Sequence, residues 1–184
     1  MARALTMLRA RAGRARKDED GSATIPFVIF FPFFILLVLS SLELGMMMIR
    51  HVMLERALDI AVRGLRLGIW TPPTHEELKR VICNQAGIIP DCMNALMVEL
   101  RPVDKNTWAP LAGSATCVDR AATIQPVVSF DPGVGDSMML IRACAKVDPL
   151  FPSSGAGWAL PKDSTGAYSL ISATAFVNEP TPGS

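Results

Sequence analysis

The sequence predicts an α+β chain in which one long N-terminal helix crosses a membrane and extends into a small extracytoplasmic antiparallel sheet domain with one additional short helix. Three observations lead there. Apolar residues make up 50% of the chain but crowd its N-terminal quarter. All four cysteines lie beyond residue 80. The hydrophobic period changes from helical to alternating near residue 95.

Residues 1–21 form a basic leader. Arg3, Arg9, Arg11, Arg14, Arg16 and Lys17 are six of the 18 basic side chains, against three of the 17 acidic ones, Asp18, Glu19 and Asp20. The remaining chain holds 12 basic and 14 acidic residues, a net of −2. A basic tip on a near-neutral body is a cytoplasmic flank. It lacks the basic folded face that a nucleic-acid partner requires.

Residues 22–49 predict a transmembrane helix in contact with the lipid bilayer. From Ile25 to Leu42 there are 18 residues without a charge, and only Glu43 interrupts the run to Ile49. At a rise of about 1.5 Å per residue, 25 residues reach about 37 Å, enough for a hydrocarbon core of about 30 Å. The leader places the N-terminus in the cytoplasm and the rest outside. A cleaved secretory signal fits less well, because the apolar run is long and Val38-Leu39-Ser40 is a poor small-x-small site. Pro26 falls in the first turn, where proline is tolerated, and Pro32 removes a helical hydrogen bond and predicts a bend. Glu43 is an ionisable group in an apolar run, expected either at the interface or in a helix–helix contact. Ser40, Ser41 and Gly45 are small enough to let helices approach.

Residues 50–69 continue the helix amphipathically. Leu54, Leu58, Ala61, Val62 and Leu65 recur at helical spacing, with Arg50, Glu55, Arg56, Asp59, Arg63 and Arg66 assigned to the polar face. Gly68 and Pro72-Pro73 end it. Residues 70–184 form the remaining domain. Thr74-His75-Glu76-Glu77 has capping-box spacing and predicts a helix over 75–85 with Leu78, Val81 and Ile82 inward. Strands are predicted over 95–103, 116–121, 138–147 and 168–177. The Pro-, Gly- and Ser-rich stretches 131–137 and 148–166 read as loops.

Cys83, Cys92, Cys117 and Cys144 are an even set in a compartment predicted to be oxidising, which implies two disulfides. Of three connectivities, Cys83–Cys92 with Cys117–Cys144 is favoured, because the first pair closes a short loop containing Gly87 and Pro90.

Catalytic and cofactor patterns fail. His75-Glu76 begins like H-E-x-x-H, but Lys79 stands where the second histidine belongs. His51 and Glu55 lie one turn apart on a solvated face. The stretch 133–137 lacks both the lysine of a phosphate loop and the G-x-S-x-G spacing of a nucleophile turn. No metal-ligand spacing occurs, and no cofactor is expected. A membrane-tethered enzyme would need a site assembled from distant residues, and an anchored periplasmic binding module is the other alternative.

A basic leader, acids and a glycine, A-T-I-P-F-V-I-F-F-P, and an apolar run ending E-L-G together resemble the TadE/TadG-like minor pseudopilins of tight-adherence (Flp) pilus systems. Gly21, Phe27, Pro32, Glu43 and Gly45 fit the family positions, and Asn178-Glu179-Pro180 is similar to family endings. Pro26 stands where the family carries its early glutamate. Glu43, 17 residues or about 25 Å further along, is too distant to replace it.

The resemblance implies a pilin-like fold, and with two histidines and no placed triad no enzyme is expected. It implies cleavage between Gly21 and Ser22 by a prepilin peptidase, and helix-mediated assembly involving Pro26, Phe27, Pro32, Glu43 and Gly45. The implied partners are other pilus or pseudopilin subunits and the assembly platform. The implied location is a bacterial inner membrane, with the C-terminal domain periplasmic.

Overall fold

The computed structural model describes residues 24–70, 73–104 and 114–179. It is an α+β molecule built on one continuous helix, α1 (Thr24–Arg66), that runs through Pro32 without interruption. Gly68, at φ 61°, stops it. The Ile69 N–H donates to the Gly64 carbonyl and the Gly68 N–H to that of Leu65, the paired bonds of a glycine-closed helix end. Trp70 then folds back over Gly64, where a Cβ would collide with the indole ring.

Helix α2 (His75–Gln85) starts at the expected capping box: Thr74 Oγ1 accepts from the Glu77 N–H, and the Glu77 carboxylate accepts from the Thr74 N–H. A single turn, α3 (Cys92–Ala95), leads into β1 (Leu96–Pro102). After it come β2 (Met138–Val147), the short α4 (Gly155–Ala159) and β3 (Tyr168–Val177).

The sheet is antiparallel in the order β1-β2-β3, with Val98 opposite Ala143 and Ala143 opposite Ser172. Alternation along β2 sends Met139, Ile141, Ala143, Ala145 and Val147 to one face, where they are buried. α1 covers this face beside β3 and α2 covers it beside β1. Leu54 and Leu58 of α1, Leu78 and Ile82 of α2, and Leu96, Val98 and Leu100 of β1 complete the core. Each such side chain contributes about 1.5–3 kcal/mol when fully buried. The other sheet face carries a partly buried cross-strand ion pair, Arg142 Nη2 to Glu99 Oε2 at 2.6 Å.

Both favoured disulfides form. Cys83–Cys92 ties the end of α2 to α3, and Cys117–Cys144 ties residue 117 to the central strand.

Three expectations are corrected. Residues 116–121 make no strand: Asp119 N–H donates to Gln125 Oε1, Gln125 Nε2 donates to the Asp119 and Ala122 carbonyls, and Ala121 N–H donates to Asp119 Oδ1. Local side-chain bonds thus take the backbone groups that a ladder would use. The edge of β1 is met by residues 129–131 instead, with the Leu100 N–H donating to Ser129 and the Asp131 N–H to Leu100. Within 148–166, read as loop, Ser154 caps the helical turn α4 through the Gly157 N–H. Arg50, assigned to the polar face of α1, is buried.

Candidate functional site

The residues expected to take part in membrane assembly, Pro26, Phe27, Pro32, Glu43 and Gly45, all lie on α1, whereas the expected processing site, Gly21 and Ser22, falls outside the described residues. From Thr24 to Val38 every side chain is exposed, and none of the most apolar 18-residue window of the helix is buried inside the molecule. This helix is long and apolar enough to cross a membrane. Phe27 and Phe31, one turn apart, stack at 5.0 Å between ring centroids. Pro26 sits in the first turn and Pro32 within the helix.

The domain first touches α1 at Ser40. Ser40 Oγ accepts from the Ala156 N–H at 3.3 Å, and Gly155 lies so close that an added Cβ would stand 3.2 Å from that oxygen. One turn on, Glu43 is fully buried, and its carboxylate accepts from two consecutive N–H groups, Leu150 at 3.2 Å and Phe151 at 2.6 Å. Seven residues further, Arg50 Nη1 donates to the Asp148 carbonyl at 3.0 Å and to the Tyr168 hydroxyl at 3.2 Å. Residues 43, 47, 50, 54, 57 and 58, spaced by three and four, form one stripe that faces the domain. It begins ionic and becomes apolar at Leu54.

Glu43 was expected at an interface or against another helix. Its carboxylate is instead a cap for the chain's own 148–151 segment, a charge-assisted arrangement that satisfies a buried acid without a counter-ion. Nothing in the periodicity of α1 identifies that partner. The detectable signal lies elsewhere in the chain: residues 149–161 contain no charge and are flanked by Asp148 and Lys162.

Ser41 and Gly45 point away from the domain. Both are exposed, a Cβ at Gly45 would meet no atom within 4 Å, and the Ser41 hydroxyl is turned inward to the Leu37 carbonyl. With Met48 and Val52 they form the uncovered side of the helix. The structure therefore separates the proposed assembly residues: Glu43 is engaged internally, whereas Pro26, Phe27, Pro32 and Gly45 belong to surface that the chain itself does not cover.

An open groove of about 790 Å³ runs between α1 and β3, bordered by Asp59, Arg63, Arg66 and Glu179. Among the described residues no three His, Cys, Asp or Glu side chains converge to hold a metal ion. His51 and Glu55 form an exposed helical pair at 3.3 Å, and His75 packs edge-on against Phe130 beside Glu76. Near residue 133, Asn178 pins the turn through the carbonyls of Pro132 and Val134.

Comparison with curated proteins and with solved structures gave no match. The family model described as TadE-like protein matches residues 21–63. That stretch takes in α1 from Thr24 to Arg63, including the uncovered section and the Ser40, Glu43 and Arg50 contacts. Over residues 21–63 the chain is TadE-like.

Proposed function

We propose that this chain is a non-enzymatic minor pseudopilin-like membrane protein that takes part in tight-adherence (Flp) pilus biogenesis and assembles through its N-terminal helix. The observation that carries the reading is an overlap of extent: the TadE-like match takes in α1 as far as Arg63, and the first part of α1 is apolar and uncovered by its own domain. Such a surface needs lipid, other helices, or each in turn. Ser41 and Gly45 offer a close-approach strip opposite Glu43. In this reading the helix lies in a bacterial inner membrane with the leader cytoplasmic and the disulfide-bonded domain periplasmic, where oxidised cysteines persist.

Intact mass of the protein from membrane fractions, with and without the prepilin peptidase, tests processing. Peptidase-dependent loss of residues 1–21 supports a processed pseudopilin. An uncut chain in both strains, together with normal surface pili after gene deletion, rejects the pilus reading. The alternative, a single-pass anchored periplasmic binding module, would use the open groove between α1 and β3, which is lined by basic, acidic and apolar side chains in a mixed surface.

A further inference from the structure

We infer that residues 149–161 form a lipid-facing surface that seats the domain in the outer headgroup boundary of the bilayer, with Trp158 as its anchor. This rests on the reading of α1 as a transmembrane helix.

The first argument is one of level. Counted from Thr24 at about 1.5 Å per residue, a hydrocarbon core of about 30 Å ends near residue 44. The segment 149–161 grips α1 at Ser40 and Glu43, on the membrane side of that point. The far side of the helix stays apolar through Leu44, Met48 and Val52, and its exposed charges begin at Glu55. The docked segment therefore lies level with apolar helix surface, below the first exposed charges.

The second argument is composition. Residues 149–161 carry no charge, while Asp148 and Lys162 bracket them. Trp158 is 79% exposed and Leu150 45%, so these two apolar side chains turn outward while Phe151 and Leu160 are half-buried. An indole with an apolar body and one N–H is suited to the boundary between hydrocarbon and headgroups.

The third is backbone satisfaction, which a low-dielectric surrounding demands. The N–H groups of Leu150 and Phe151 reach Glu43, that of Ala156 reaches Ser40, and those of Gly157 and Trp158 reach Ser154. Pro149, Pro152 and Pro161 have no N–H to satisfy. The Lys162 ammonium folds back onto the Gly157 carbonyl at 2.7 Å.

The test uses the full chain in phosphatidylcholine vesicles brominated at successive acyl positions, with Trp158→Phe as reference, so that the difference in emission belongs to Trp158. The expected result is loss of that component with bromines near the headgroups, little loss with bromines at the bilayer centre, and weak quenching by aqueous iodide. Quenching by iodide but not by bromolipid overturns the inference, as does strongest quenching at the bilayer centre. Shielding from both quenchers that grows with protein-to-lipid ratio overturns it in favour of a second copy as the covering partner. Flotation with the vesicles after an alkaline wash is measured in parallel. A chain that fails to float rejects the transmembrane reading itself, whereas a chain that floats with Trp158 unquenched by bromolipid rejects this inference alone.

Discussion

Glu43 and Arg50 stand seven residues apart on one stripe of α1 and hold opposite polarities of the same connecting segment. The acid takes the N–H groups of Leu150 and Phe151, and the base gives to the carbonyl of Asp148. Two full helical turns span about 11 Å, so the pair sets both the position and the direction in which the 148–151 segment crosses the helix. Glu43→Gln leaves one carbonyl oxygen for two donors and removes the charge. It should destabilise the domain by about 1–3 kcal/mol. Hydrogen exchange at Leu150 and Phe151 should accelerate before exchange in β2 does. Unchanged protection at those two amides would contradict the cap.

Gly64→Ala should destabilise the closed end of α1 by about 1–3 kcal/mol, because the new methyl group meets the Trp70 ring. Helix propensity alone predicts the opposite sign, since alanine favours a helix over glycine by about 1 kcal/mol. Denaturant unfolding in detergent decides between them. Combining Gly64→Ala with Trp70→Leu should cost less than the two single changes together.

Asp163 gives the fold a pH-dependent contact. Burial disfavours its charged form, but bonds from Lys146, Thr165 and Ala167 outweigh this and hold the carboxyl well below the usual carboxylate range. A carboxyl depressed in the folded state stabilises above its unfolded value of about 3.9 and loses that contribution as pH falls through the folded value. Asp163→Asn should therefore destabilise by about 1–2 kcal/mol at neutral pH, with the gap closing below about pH 4. Unfolding curves for both proteins across that range provide the check, and a pH-independent gap would rule out charge as the cause.

The two disulfides should differ in worth. Cys117–Cys144 closes a separation of 27 residues and Cys83–Cys92 one of 9. Chain-entropy reasoning gives about 3.5 and about 2.5 kcal/mol respectively. Paired serine variants of each bridge, compared by melting temperature, should rank in that order. Loss of the first should also expose residues 114–127 to proteolysis while β2 and β3 stay protected.

Legibility from sequence followed the range of the interaction. The Thr74 capping box, the Gly68 stop and the strands β2 and β3 were readable because neighbours within a few residues determine them. The Cys83–Cys92 bridge was readable for the same reason. Arg50 and Glu43 were not, since their partners lie about 100 residues away and periodicity sorts charge from apolar without knowing what covers a face. Alternation suggested a strand at 116–121, but Asp119 and Gln125 compete for its backbone. Ser154 and Gly157, which make α4, sit in a composition that reads as loop. Its close seat on Ser40 depends on Gly155 having no side chain.

The continuity of α1 has a mechanical consequence. The same unbroken helix carries the uncovered apolar surface and the stripe that bonds the domain, so the molecule has no swivel between that surface and the sheet. Turning the uncovered end by packing against a neighbour turns β1, β2 and β3 through the same angle. One residue inserted between Val38 and Ser40 would rotate the two halves by about 100° relative to each other, leaving each half intact and aiming the domain in the wrong direction.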